Sequence, residues 1–137
     1  MKHLLLTLLL GLCAAAQQSG DDPLRDIMFP PEAVMQHQQA LGLSDEQKNN
    51  LKLDIRQAQS KFTELQWTLQ DEMERLVSLL KQSKVDEKQA AAQLDKVLAA
   101  EREIKRAQLM LLIRIKNSLT PAQQVQLHEL IEKPKGR

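Results

Sequence analysis

The chain is predicted to be all-α, with four helices in the order short, long, long, short and the two long ones forming an α-hairpin. Three observations carry this expectation. Ala, Leu, Gln, Lys and Glu dominate the composition and aromatic residues make up only 2%, which favours long helices over a sheet. From Asp45 to Lys81 apolar residues recur in steps of three or four, with no Gly or Pro between them. The phrase Leu-(Ser/Thr)-x-x-Gln occurs twice, as Leu43-Ser44-Asp45-Glu46-Gln47 and as Leu119-Thr120-Pro121-Ala122-Gln123, each time ahead of a helical pattern.

The elements follow in chain order. Residues 1–16 read as a secretory signal: Lys2 and His3 begin it, an apolar run from Leu4 to Leu12 follows, and Ala14-Ala15-Ala16 supplies the cleavage site. The run is far shorter than the ~20 residues a membrane span needs. Cys13 raises lipoprotein processing, but the residue before it is Leu12 rather than a small one, so cleavage after Ala16 is expected. The mature chain, 17–137, then has no membrane span and no cysteine, hence no disulfide and no thiol nucleophile. Residues 17–30 carry Gly20 and Pro23 without a sustained period and read as a flexible leader. Pro30 and Pro31 start a short helix expected to reach Leu41 and stop at Gly42. The second helix carries Leu51, Ile55, Ala58, Phe62, Leu65, Leu69, Met73, Leu76 and Leu80 on one stripe and should be about 55 Å long.

Residues 82–86 form the expected turn, with Ser83 or Asp86 as the next N-cap. The third helix carries Leu94, Val97, Leu98, Ile104, Leu111, Ile115 and Leu119. Every residue from Leu109 to Ile113 is apolar, wider than one face, so this run either lies under two neighbours or exposes a sticky surface. The last helix runs from Pro121 to about Glu132, so the helical domain is 31–132, and 133–137, with Pro134 and Gly136, form a disordered tail.

Each repeated phrase is a capping box. The hydroxyl of Ser44 or Thr120 accepts from the N3 backbone N–H, and Gln47 or Gln123 at N3 reaches back to the N-cap N–H. Pro121 falls at N1, where a missing donor costs nothing. Neither box has a local hydrophobic staple, because the N4 residues are Lys48 and Gln124. Leu43 and Leu119 must therefore pack on other helices. As chemistry the boxes set two helix starts and touch no substrate.

The paired phrases and the helix order resemble the CpxP/Spy family of bacterial periplasmic proteins, whose repeat is Leu-Thr-x-x-Gln, and a wider group that includes periplasmic heavy-metal sensor and resistance proteins. The second motif matches in full at Leu119, Thr120 and Gln123; the first has Ser44 in place of Thr, which keeps the hydroxyl. The resemblance spans about 31–132. It implies an antiparallel, cradle-shaped homodimer in the periplasm that holds unfolded or misfolded envelope proteins under stress without ATP or a cofactor. The alternatives it leaves open are a metal-binding resistance or sensor protein, taking zinc or another divalent metal, and an inhibitor acting on the periplasmic domain of a sensor kinase.

The candidate client-binding residues lie on the long helices. Lys48, Lys52 and Arg56 form a basic row beside Leu51 and Ile55, and Arg102 and Arg106 lead into Met110 and Arg114. Like charges at i, i+4 repel by ~0.2–0.5 kcal/mol, so helix stability does not account for them. Beside Leu, Ile and Met they offer charge to steer a client and apolar area to hold it; the plainer reading is a solvated face flanking a core stripe. For metal, the weak candidates are His37 and Met35, because His37 has Ala33 and Leu41 four positions away and no second imidazole; His128, beside Glu129 and Glu132, reads as a surface residue. Loss of Lys2 with the signal leaves acids and bases equal in number, which argues against nucleic acid as a partner. No phosphate-binding glycine loop and no Ser-His-Asp order is present, so no enzyme activity is expected.

Overall fold

The computed structural model describes residues 23–24 and 26–132. The expected signal at 1–16 with Cys13, most of the leader, and the tail at 133–137 lie outside them. The helices are α1 (Pro31–Gln36), α2 (Asp45–Leu80), α3 (Glu87–Ser118) and α4 (Pro121–Glu132), and no strand occurs among the described residues. Among the described residues the four-helix, short-long-long-short expectation therefore holds.

The first helix is shorter than its sequence pattern predicts. Pro30 and Pro31 start it, but His37 leaves the helical region (φ −104°, ψ 14°) and the regular helix ends at Gln36. A separate turn follows, closed by the Leu41 N–H donating to His37 O at 3.0 Å. Gly42 ends that turn at φ +63°. Its N–H donates to Gln39 O and the Leu43 N–H donates to Gln38 O, at 3.1 and 3.3 Å, the paired bonds of a Schellman close. Residues two apart on a helix point to nearly opposite sides. Reversing the chain at Gly42 lets both Leu41 and Leu43 enter the core, which a continuous helix would forbid.

α2 and α3 pack side by side as the hairpin, joined by Lys81–Asp86. Asp86 is the N-cap of α3: its Oδ1 accepts from the Gln89 N–H at 3.1 Å. Two side-chain bonds across the hairpin fix an antiparallel register, Gln47 Nε2 to Ser118 O at 2.9 Å near the base and Gln93 Nε2 to Glu72 O at 2.8 Å near the tip. The anchors are equally spaced on both helices, so the pairing holds without slippage between them.

The α2 stripe faces inward as its period predicts, buried at Leu51, Leu65 and Leu76 and half-buried between; only Leu80 at the end is exposed. The α3 stripe is a correction. Leu94 and Leu98 are exposed, and Gln93, Val97 and Ala100 are the buried residues at that level. Gln93, Val97, Ala100, Ile104, Ala107, Leu111 and Ile115 step by four and three along one line. A polar residue occupies an inward position there because its amide donates to both Glu72 O and Glu72 Oε2, so its burial leaves no donor unpaired.

The main core sits at the base of the hairpin, where Phe29, Val34, Leu41 and Leu43 meet Leu51, Leu111, Ile115, Leu119 and Leu127. Val34, Leu51, Ile115 and Leu127 are fully buried, each contributing about 1.5–3 kcal/mol of transfer free energy. Just ahead of α1, Phe29 is buried in this core, and Lys116 Nζ donates to Ile27 O at 3.0 Å.

Candidate functional site

Both capping boxes are formed with the same geometry. The Ser44 N–H donates to Gln47 Oε1 at 2.9 Å and the Gln47 N–H donates to Ser44 Oγ at 3.1 Å. The Thr120 N–H donates to Gln123 Oε1 at 2.9 Å and the Gln123 N–H donates to Thr120 Oγ1 at 3.1 Å. The structure then joins the two boxes. Gln47 Nε2 donates to Gln123 Oε1 at 2.7 Å, and Gln123 Nε2 donates back to Gln47 Oε1 at 3.3 Å. The remaining donor of each amide reaches a backbone carbonyl, Ser118 O for Gln47 and Leu41 O for Gln123, at 2.9 and 3.2 Å. The motif leucines Leu43 and Leu119 are buried in the base core.

Two more glutamines extend this pattern. Gln124 Nε2 donates to Lys116 O and Leu119 O at 3.1 and 3.2 Å, and Gln126 Nε2 donates to Ala40 O at 2.8 Å. The last carbonyls of a helix have no partner within it. Here side-chain amides from α2 and α4 occupy those of α3 and of the turn before α2. A capping box is readable from sequence spacing; a glutamine pair between boxes so far apart in the chain leaves no local signal.

The candidate client-binding residues lie on two separate strips. Lys48 is half-buried, Lys52 and Arg56 are exposed, and on α3 Arg102, Arg106, Met110 and Arg114 are all exposed. Arg102 has only its neighbour Glu103, at 3.9 Å; Lys48, Lys52, Arg56, Arg106 and Arg114 have no carboxylate within ion-pair range among the described residues. No hydrogen bond or ion pair joins the two strips. The apolar partners expected beside the α2 strip need correcting: Leu51 is fully buried and Ile55 half-buried, while the exposed neighbour is Leu53. On α3, Met110 is exposed as expected, next to exposed Leu109. The apolar run at Leu109–Ile113 does both things open to it, with Leu111 in the core and Leu109 and Met110 facing solvent.

The metal candidates His37 and Met35 are half-buried, Met35 in the last turn of α1 and His37 just after it. His128 Nε2 lies 3.1 Å from Glu132 Oε1, one turn along α4. Among the described residues no group of three or more His, Cys, Asp or Glu is placed to hold a metal ion.

One comparison decides the kinship. Residues 2–126 match the family model described as heavy-metal resistance. The chain belongs to the heavy-metal resistance family. The match takes in α1, α2, α3 and the first half of α4, and with them both capping boxes. No curated protein and no solved structure is significantly similar to the chain. The family name implies a metal, and a structural site for zinc takes four N or S donors. The donors described here do not fit one: among the described residues no three or more of His, Cys, Asp and Glu converge, and His128 lies against Glu132 alone. No helix among the described residues is long and apolar enough to cross a membrane.

Proposed function

We propose that the chain is a periplasmic protein of the heavy-metal stress response, exported by the segment at 1–16, and that it acts by holding other polypeptides on its long helices. The single observation that carries the resistance role is the family match over 2–126. The mode of action is supported by what the arms offer. Cationic side chains without carboxylate partners sit beside exposed Leu53, Leu109 and Met110, a combination that attracts an unfolded chain by charge and retains it by apolar contact. On this reading the chain is a CpxP/Spy-like, ATP-independent chaperone, its occupants are envelope proteins unfolded under metal stress, and the exposed leucines of α3 favour a homodimer. Two experiments test it. Deleting the coding gene should sensitise cells to zinc, copper or nickel salts; unchanged growth removes the resistance role. The mature protein at equimolar dimer should suppress aggregation of a denatured client, and Arg102→Gln/Arg106→Gln/Met110→Ser should weaken suppression severalfold; no suppression by the unaltered protein removes the holding role.

A second reading, direct metal sensing, keeps the family match but needs donors beyond the described residues of one chain, since no group of three converges among them. Calorimetry with zinc, copper and nickel separates the two. Micromolar binding abolished by His37→Ala or His128→Ala would favour sensing over holding. Inhibition of a sensor kinase would use the same arms and calls for a pull-down with that kinase's periplasmic domain.

A further inference from the structure

The side of α2 turned away from the core carries a surface that neither the resistance role nor the basic strips use. Ser60, Glu64, Trp67, Asp71, Glu74 and Ser78 step by four and three along one line, and all are exposed. Trp67 is 63% exposed, the most exposed large apolar side chain among the described residues. An indole in that position is costly unless something covers it, because its face is apolar and its N–H wants a partner. Asp71 and Glu74 follow on the next two turns. Neither has a cationic partner among the described residues; Glu74 only accepts from Gln70 Nε2 at 3.4 Å. Glu64 has Lys61 at 3.8 Å with both side chains mostly in water, an interaction of little strength.

The same two carboxylates form the rim of a recess of about 720 Å³ between the helices. Leu79 gives it an apolar wall, Gln82 and Gln93 give it amides, and Arg75 also lines it, its guanidinium ion-paired with Glu72 at 3.2 Å. The volume far exceeds a metal ion and suits an extended side chain with its flanking backbone. With Arg75 held on Glu72, the charge left unmatched is that of Asp71 and Glu74, which favours a cation over an anion. An aromatic face next to carboxylates is the arrangement that takes a guanidinium or an ammonium group, by cation–π contact on one side and charge-assisted hydrogen bonds on the other.

We propose that the outer face of α2 from Glu64 to Ser78 docks an arginine- or lysine-bearing segment of a partner polypeptide, its cationic head on Trp67, Asp71 and Glu74 and its aliphatic stem in the recess beside Leu79. The chain then has two docking surfaces of opposite charge, a basic one toward the base of the hairpin and an acidic, aromatic one toward its tip. This surface does not depend on the resistance role, so either can fail alone.

Trp67 is the only tryptophan of the chain, which makes it its own reporter. The mature protein is titrated with a capped peptide alternating Arg and Ala, with its Glu–Ala counterpart and with spermidine, following tryptophan fluorescence. A saturable change with the Arg peptide alone is expected, weakened by raising salt from about 0.1 to 1 M. Asp71→Asn/Glu74→Gln should lower the affinity about tenfold, while Asp54→Asn/Glu129→Gln, with the same change in net charge, should leave it intact. With a fluorescein-labelled Arg peptide and anisotropy, Trp67→Ala should lower the affinity by a similar factor at unchanged helical circular dichroism. The proposal is overturned by the absence of a saturable change, by equal losses in the two charge-neutralised variants, or by equal affinity for spermidine, which would mean polycation attraction alone. A fluorescence change on dilution of the protein without peptide would overturn it too, since the occupant would then be a second copy of the chain.

Discussion

Gln47 and Gln123 show why the motif carries an amide where a capping box also admits a carboxylate. Either Glu or Gln at N3 can accept from the N-cap N–H. In this chain the same side chain must also donate twice, to the other motif's amide and to a carbonyl, Ser118 O or Leu41 O. Glutamate is nearly isosteric but has no hydrogen to donate. Gln47→Glu or Gln123→Glu should therefore lower stability by about 2–3 kcal/mol, read as a reduced urea midpoint, because a carbonyl loses its partner and a charge enters a partly buried site. The two sites touch, so in a cycle with Gln47→Ala and Gln123→Ala the double variant should lose less than the sum, with a coupling of about 0.5–1.5 kcal/mol. Strict additivity would mean that the reciprocal pair contributes nothing. Replacement of threonine by Ser44 in the first motif needs no compensation, since the hydroxyl alone does the capping.

At the scale of elements, the boundary before α2 rests on one backbone geometry. Gly42 stands at φ +63° with nothing within 4 Å of the position a Cβ would take. The cost of Gly42→Ala is then conformational strain without steric clash, about 1 kcal/mol by thermal or urea unfolding, and Gly42→Asn should lose less because Asn tolerates the left-handed region. Sequence spacing alone identifies Gly42 as a terminator, and it is one. It overestimates what precedes it: periodicity carries the first helix to Leu41, while the regular helix stops at Gln36. The competing influence is tertiary, since Leu41 and Leu43 both gain from burial against Ile115 and Leu127. α3 teaches the same lesson. Leu94 and Leu98 lie one turn apart beside Val97, and hydropathy cannot say which side of Val97 meets α2. The register pinned by Gln93 on Glu72 turns the leucines outward.

For the whole molecule, a hairpin whose main core is concentrated at its base leaves long arms with apolar side chains in water. Leu94 and Leu98 are 44% and 50% exposed, adjacent on one face. If they are covered by a second copy of the chain, Leu94→Ser/Leu98→Ser should shift sedimentation from dimer to monomer and leave base-core stability within about 0.5 kcal/mol, since surface changes away from packing do little. The same molecular weight for variant and parent would assign these leucines to a client surface instead. The amino-acid sequence by itself determined the four helices of the described residues, the two long amphipathic arms and the N-caps at Ser44 and Thr120, because capping and period are local properties of consecutive residues. Only the tertiary structure decided that the two caps are one hydrogen-bonded unit, that Gln93 rather than Leu94 faces α2, and that Trp67 points to solvent above Asp71 and Glu74. Those facts depend on which helix lies opposite which, and register between segments distant in the chain is set by packing and by side-chain bonds such as Gln47 to Ser118.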